Sequence, residues 1–473
     1  MARRPVARIG PGGRLSPPPS RRTFLVGVAA AAALSGCAGR PEPLPPGDRD
    51  VDVIVVGAGI AGLAAAHVIT ASGRSCAVLE ARDRVGGRIW TSTSWPDLPV
   101  DLGASWIHGS DGNPVYQEAD RLGIPTAVFD VGSSDGAGSS VLYSADGRRM
   151  DEDPIEKRVE AVIRGLERVA DTADAGRIAM RAGLDDLPPR LRDLARQPEV
   201  AAALVEYAGD YGATTDDLAL SALSEDDSFP GVQRVFPAGY GQLAERLAAD
   251  LPVRLGVPVT GITLAPGGPV IVNAGADQWR AAKVILTASL GVLKSGGIRF
   301  DPPLPAAHAR AIEALGMGRF EKLILRFPEV FWDDVDQIQV VGQPAAPFTG
   351  WYNLNRVTGR PALMALNGGA AAGAAALPVP QQTAAAADLL ARIYPGRFQP
   401  PLAAQASNWW ADEFSRGSYS FTAVGSGEDD RIALAEPIED RLWLAGEAAH
   451  PTRHSTVHGA FASGEAAARQ VCA

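Results

Sequence analysis

The feature that most constrains the fold is a glycine turn set between a strand and a helix. Residues 52–56, Asp-Val-Ile-Val-Val, read as a buried strand, followed at once by Gly57-Ala-Gly59-Ile60-Ala61-Gly62 and a helical stretch from Leu63 to Ser72. In that spacing Gly57 permits the tight turn, Gly59 lets backbone approach a pyrophosphate, and Gly62 lets helix and strand pack closely. The helix N-terminus then offers free N–H groups and a partial positive charge to phosphate. A second strand, residues 75–79, ends in Glu80, 23 residues after Gly57, where a carboxylate accepts hydrogen bonds from ribose hydroxyls. Glycines alone would be weak evidence. With both strands, the helix and the acid in place, the segment predicts a Rossmann-like α/β sheet that holds a dinucleotide.

The continuation selects the dinucleotide. Glu80-Ala-Arg82-Asp-Arg-Val-Gly86-Gly87-Arg88 is followed by Asp101-Leu-Gly103-Ala104-Ser105-Trp106-Ile-His108-Gly109. Here the chain resembles the flavin-dependent amine oxidases, the family of the monoamine oxidases, the polyamine oxidases and the histone lysine demethylase. The resemblance implies FAD, with Glu80 on the adenosine ribose and Arg82, Gly87 and Arg88 on the adenosine and pyrophosphate side. It also places Gly103, Ala104, Ser105 and Trp106 beside the isoalloxazine. An anionic, flat cofactor calls for cations at its phosphates and small side chains where it lies against backbone. Residues 235–247 resemble the segment by which the family returns to its FAD-binding domain, and Val259 matches a position whose backbone meets the adenine.

Lysine is rare here: of 44 basic residues only Lys157, Lys283, Lys294 and Lys322 are lysine. Lys322, in Gly316-Met-Gly-Arg-Phe-Glu-Lys322-Leu-Ile-Leu, resembles the family's strand lysine that reaches through a water toward flavin N5. Burial there is expected to depress its pKa, and its charge to favour the reduced ring. Trp409-Trp-Ala-Asp-Glu-Phe414-Ser-Arg-Gly-Ser418-Tyr419 resembles the stretch that carries, in monoamine oxidases, a flavin-bonded cysteine and one wall of an aromatic cage. Ser418 stands where that cysteine would, so FAD is expected to be bound non-covalently. Tyr419 keeps one wall, Trp409 and Phe414 are expected along the cavity, and Thr456 replaces the opposite wall. Gly446 and Glu447 end a strand that in the family meets the ribityl or phosphate region. The last helix, entered through Thr456, Val457 and Ala460, is expected to point its N-terminus at the flavin N1/C2=O edge.

Between these motifs the domains are expected to interleave. Residues 51–110, 230–300 and 425–473 are assigned to the FAD-binding domain, and 111–229 and 301–424 to a mixed α+β substrate-binding domain. Residues 111–221, broken by the glycine-rich stretch 132–138, repeat apolar residues at helical spacing, as in Ile155, Val159, Val162, Ile163, Leu166 and Val169, and read as a largely helical insertion. Residues 1–36 hold six arginines and no acid, then the apolar run Phe24–Leu34, too short to span a bilayer as a mature helix. Arg21-Arg22 resembles a twin-arginine export signal, and Leu34-Ser-Gly-Cys37 a lipobox whose cysteine becomes a lipid anchor, followed by a proline-rich linker at 37–50. The chain is therefore expected to be exported and extracytoplasmic, tethered to membrane only through Cys37. Loss of the signal leaves it more acidic than its net charge of −10, which argues against a nucleic-acid partner. Three cysteines in these positions give neither a disulfide framework nor metal-ligand spacing.

The resemblance implies oxidation of an amine by hydride transfer to flavin N5, hydrolysis of the imine to aldehyde, and reoxidation by O2 to give H2O2. A polyamine substrate is favoured, because residues 106–114 resemble polyamine oxidases, with His108 near the cavity. Glu225, Asp226 and Asp227 are candidates to steer cations. Two alternatives stay open: an L-amino-acid oxidase, which needs a cavity arginine for the substrate carboxylate, and a lipid-anchored flavoprotein that binds a partner without turnover.

Overall fold

The computed structural model describes residues 49–131, 138–171, 174–225 and 228–473. The segment expected to be an export signal, Cys37, nearly all of the linker, most of the glycine-rich break and the acids Asp226 and Asp227 lie outside the described residues.

The strand Asp50–Val56 is apolar on both faces, with Val53 to Val56 buried, as a parallel strand covered from two sides must be. It lies between the parallel strands Cys76–Leu79 and Asp277–Leu286. The antiparallel strands Val270–Ala274 and Val259–Leu264, the edge strand Arg299–Asp301, Val253–Arg254 at the other side and Leu442–Leu444 complete an eight-stranded sheet. One face is covered by the first helix, Ile60–Ala71, and the last, Val457–Cys472, whose buried residues share a single core. The last helix begins at the carboxyl ends of the parallel strands, where open α/β sheets place their ligands.

A second sheet of seven strands runs in the order Ala403–Ala406, Phe320–Arg326, Ala362–Gly368, Gly350–Asn353, Gln337–Val341, Ser140–Ser144 and Arg149–Met150. Its register sets Lys322, Leu366 and Gly350 abreast, with Ile324, Met364 and Tyr352 abreast two residues on. Side chains abreast in neighbouring strands share a face. The helix Asp153–Ala170 buries Ile155, Val162, Ile163 and Leu166, the spacing expected of it. Residues 111–221 are less helical than expected, since Ser140–Ser144 and Arg149–Met150 pair across a turn at Asp146-Gly147 and extend the second sheet. The crossover after residue 301 also comes later than expected. Helix Ala306–Ala314 and Leu315 pack into the core beneath the first sheet, so the chain joins the second sheet only at Phe320.

Candidate active site

The first helix starts at Gly59 with no side chain capping it, so the N–H groups of its first turn lack helical acceptors. A Cβ on Gly59 would meet no atom within 4 Å, whereas one on Gly62 would lie 1.9 Å from the Gly57 carbonyl oxygen. The turn is thus packed on its inner side and open on its outer side. Glu80 is buried beside it, accepting hydrogen bonds from the Ala58 N–H at 2.7 Å and the Arg82 N–H at 2.9 Å. Two lone-pair sites remain for hydroxyl donors. Gly256 and Val257 donate to the carbonyls of Arg82 and Glu80, which brings the strand beginning at Val259 alongside. Across the site Gly446, at φ +138°, also faces open space. An open anion cradle, a fixed carboxylate and open glycines on the opposite wall fit a dinucleotide such as FAD.

The arginines are held by acids far away in sequence. Arg82 forks onto Asp412 at 2.7 and 2.5 Å, and its guanidinium lies 6.0 Å from the Trp409 ring and 5.5 Å from that of Phe414. Trp409 is buried edge-on to Trp90 and donates to the Leu102 carbonyl. Trp409 and Phe414, expected along the substrate cavity, pack around Arg82: a buried indole N–H needs an acceptor, and a guanidinium draws aromatic faces. Arg84, not singled out from sequence, donates to the carbonyls of Val85 and Gly87 and so braces the turn that carries Gly87. Arg88 bonds the Ser418 carbonyl at 2.9 Å and Glu447 at 2.8 Å.

Glu447 is the anchor of this wall. Buried, it also accepts from the Ser420 hydroxyl at 2.7 Å and the Ser455 N–H at 3.0 Å. Burial alone would raise its pKa, but the Arg88 charge, the Ser420 hydrogen bond and the Arg431 charge outweigh it and hold the carboxyl down to about 2. A carboxylate depressed below its unfolded value stabilises the fold above pH 4.5, and that contribution is lost as pH falls toward 2. With Arg88 a quarter exposed, about 2 kcal/mol is expected. Glu447→Gln should therefore unfold earlier in urea at pH 7 by that amount and show less further loss on acidification; equal pH slopes for the two proteins would refute this. Thr456 caps the last helix, accepting from the Gly459 N–H at 2.9 Å and donating to the Arg453 carbonyl at 2.8 Å. Its hydroxyl is thus spent on setting the helix start, with Val457 and Ala460 in the first turn.

Lys322 is buried, and its ammonium donates to the Asp101 carbonyl at 3.1 Å and to the Ser105 hydroxyl, 6.0 Å from the Trp106 ring. Burial pulls its pKa down to about 8, opposed by the Asp101 charge. Asp101 is the partner that sequence reading passed over. Burial pushes its carboxyl up to about 6, against the pull of Lys322 and of hydrogen bonds from Thr91 and the Tyr240 N–H. Gly103 and Ala104 follow in the same loop, Gly103 lying so near the Arg88 carbonyl that a Cβ would sit 1.9 Å from it. Ser418 donates to the Phe320 carbonyl at 2.7 Å and accepts from its N–H at 2.9 Å, a hydroxyl with no thiol chemistry to offer.

On the other side of the lysine strand, the Tyr419 hydroxyl donates to the Asp210 carbonyl at 2.7 Å and its ring packs on Phe320. Asp210 ends the helix Pro198–Asp210, with Glu206 one turn earlier. Both carboxylates keep accessible surface, yet burial raises Glu206 to about 6, and burial followed by the Glu206 charge raises Asp210 to about 7. Groups that are exposed and yet desolvated face a recess rather than open solvent. Glu206 lies 3.4 Å from where a Gly350 Cβ would stand, and burial with the charges of Asp210 and Glu206 raises the pKa of Tyr352. Gly350 is two strands from Lys322, about 10 Å. Like charges at i, i+4 repel on a helix, and two acids in the otherwise apolar run Val200–Asp210 were the signal that could have found this pair. His108, by contrast, is exposed and bonded to Gln233 at 3.0 Å, and Glu225 pairs with His454 at 2.8 Å in the wall behind Thr422.

Residues 60–472 match the family model described as flavin containing amine oxidoreductase. The chain is 32% identical over 437 residues to polyamine oxidase 2 of Arabidopsis thaliana, covering 89% of this chain and 88% of that one. It is 34% identical to lysine-specific histone demethylase 1 homolog 3 of Oryza sativa subsp. japonica, but spans only 53% of that longer protein. A putrescine oxidase solved with putrescine bound superposes with a TM-score of 0.72 at 22% identity, over 89% of this chain and 99% of that one, a likeness of fold. The chain is thus a member of the flavin containing amine oxidoreductases, an FAD-dependent amine oxidase.

Proposed function

We propose that the substrate is a polyamine or other extended diamine. The observation that carries this reading is the Glu206–Asp210 pair, two carboxylates a turn apart on one helix, with Glu206 beside Gly350, which lies two strands from Lys322. A second ammonium group on the substrate would neutralise them while the reacting carbon lies nearer Lys322. FAD, when bound, accepts the hydride from the carbon next to nitrogen. The protein's own part is orientation, which converts a bimolecular encounter into an effectively intramolecular one. Tyr419 and Phe320 form an apolar wall beside the recess, the acidic pair fixes the far end of the chain, and the buried lysine supplies positive charge beside Ser105 and Asp101. The same pair disfavours an L-amino-acid substrate, whose carboxylate it would repel. A purely binding flavoprotein leaves a buried, desolvated lysine without use.

Anaerobic mixing tests these readings together. Spermine, spermidine and acetylspermine are expected to bleach the flavin absorbance at least tenfold faster than phenylethylamine or L-amino acids. Faster bleaching by an amino acid would replace the polyamine reading, and yellow protein left unbleached by every amine would support a binding role.

A further inference from the structure

A second cavity, of about 40 Å³, lies on the far side of Trp106 from the acidic recess. Its inner wall is apolar and buried: Phe129, Phe236, Ile324 and Met364. It ends at Asp101 and Ser105, the two residues that bond the Lys322 ammonium. At its outer end are the half-buried Leu354, Val357 and Thr358. Ile324 and Met364 are abreast in the second sheet with Tyr352, which packs edge-on to Trp106 at 5.2 Å. Trp106 therefore separates the two spaces, since its other neighbour, Phe129, stacks on it from the cavity at 5.9 Å.

The volume holds about three or four water-sized molecules at about 10–15 Å³ each. Ordered water needs two to four polar partners, and most of the polar atoms here already have one in the protein. The Ser105 hydroxyl accepts from the Lys322 ammonium, one carboxylate oxygen of Asp101 accepts from both Thr91 and the Tyr240 N–H, and the Trp106 N–H goes to the Phe129 carbonyl. Apolar walls favour small apolar molecules over water. We propose that this cavity is the entry path and waiting site for dioxygen, delivering it to the Lys322 side of the flavin while the amine occupies the acidic recess. This rests on the oxidase reading above. The reduced flavin gives up two electrons and one proton, one further proton comes from solvent, and dioxygen leaves as hydrogen peroxide.

The test reduces the flavin photochemically, without amine, and mixes it with buffers of graded oxygen content. Val357→Phe and Leu354→Phe, which narrow the outer end, are expected to lower the second-order reoxidation constant at least fivefold. Val357→Ala should leave it within twofold, and anaerobic reduction by amine should stay within twofold in all three. Equal reoxidation of wild type and both phenylalanine variants overturns the proposal, as does a wild type that itself reacts with oxygen no faster than free reduced flavin. Crystals pressurised with xenon give an independent readout: a xenon peak between Phe236 and Met364 is expected, and ordered waters there would overturn it. Failure of the polyamine reading would instead appear in the bleaching screen, which leaves these oxygen measurements unchanged.

Discussion

Lys322→Met is expected to slow flavin reoxidation by 10²- to 10³-fold, about 2.7–4 kcal/mol of barrier, the effect of removing one preorganised electrostatic group. The lysine is buried, and its ammonium is held by Ser105 and the Asp101 carbonyl, so its charge is fixed before reaction and little screened by water. Methionine keeps the length and the apolar stem without the charge. The pH dependence sharpens the test. Burial sets Lys322 at about 8 and Asp101 at about 6, so between those values the lysine is protonated and the aspartate ionised. The wild-type rate should fall as pH rises through 8 and the ammonium is lost. Lys322→Met should lack that inflection. Without the lysine, Asp101 loses the charge that lowered its pKa, so any acid limb that persists should move to higher pH. Stopped-flow reoxidation across pH 5 to 9 measures both effects, and a variant within twofold of wild type with its inflection near 8 intact would remove Lys322 from the chemistry.

The sequence made the cofactor side legible because its signals are local. A glycine turn, an acid at the end of the next strand and a basic loop each act within a few residues of themselves, and the structure sets Gly59, Gly62 and Glu80 around one cradle. Lys322 stood out through the scarcity of lysine and its flanking strand. What stayed hidden depends on contacts between distant segments. Arg82 meets Asp412 across 330 residues, and nothing in either segment alone announces the pair. Trp409 and Phe414 were assigned to the substrate side because aromatic spacing does not say which way a ring turns; only the fork between Arg82 and Asp412 places them. His108 lies in a motif-rich loop, yet its ring turns outward to Gln233. Asp101 opened a recognised motif, but its importance comes from burial against Lys322, which no spacing reveals. The acidic pair was missed because it lies in the segment read only as helical, where two acids a turn apart pass for a solvated face.

That pair makes the strongest demand on the substrate. Glu206→Gln combined with Asp210→Asn should lower kcat/KM for spermine and spermidine by roughly 10- to 10²-fold, since the acids are accessible and losing their charge-assisted hydrogen bonds to the substrate costs about 1.5–3 kcal/mol. Most of the change should fall on KM, because the acids meet the end of the substrate away from the reacting carbon. A small monoamine with no second cation should change less than threefold. The substitutions keep shape and remove charge, and they also relieve the repulsion between the two acids, so the fold should not be weakened. Burial raises Glu206 to about 6, and burial with the Glu206 charge raises Asp210 to about 7, so the empty recess gains its second negative charge only near neutrality. Wild-type kcat/KM for polyamines should therefore climb from pH 5.5 to 7.5 as both carboxylates ionise, and a bound polycation should lower both values and release fewer protons from the recess as pH rises. The double variant should lose that limb, while its flavin reoxidation keeps the inflection set by Lys322. If it oxidises spermine within threefold of wild type, the recess does not hold the substrate's second amine, whatever the reaction at the flavin.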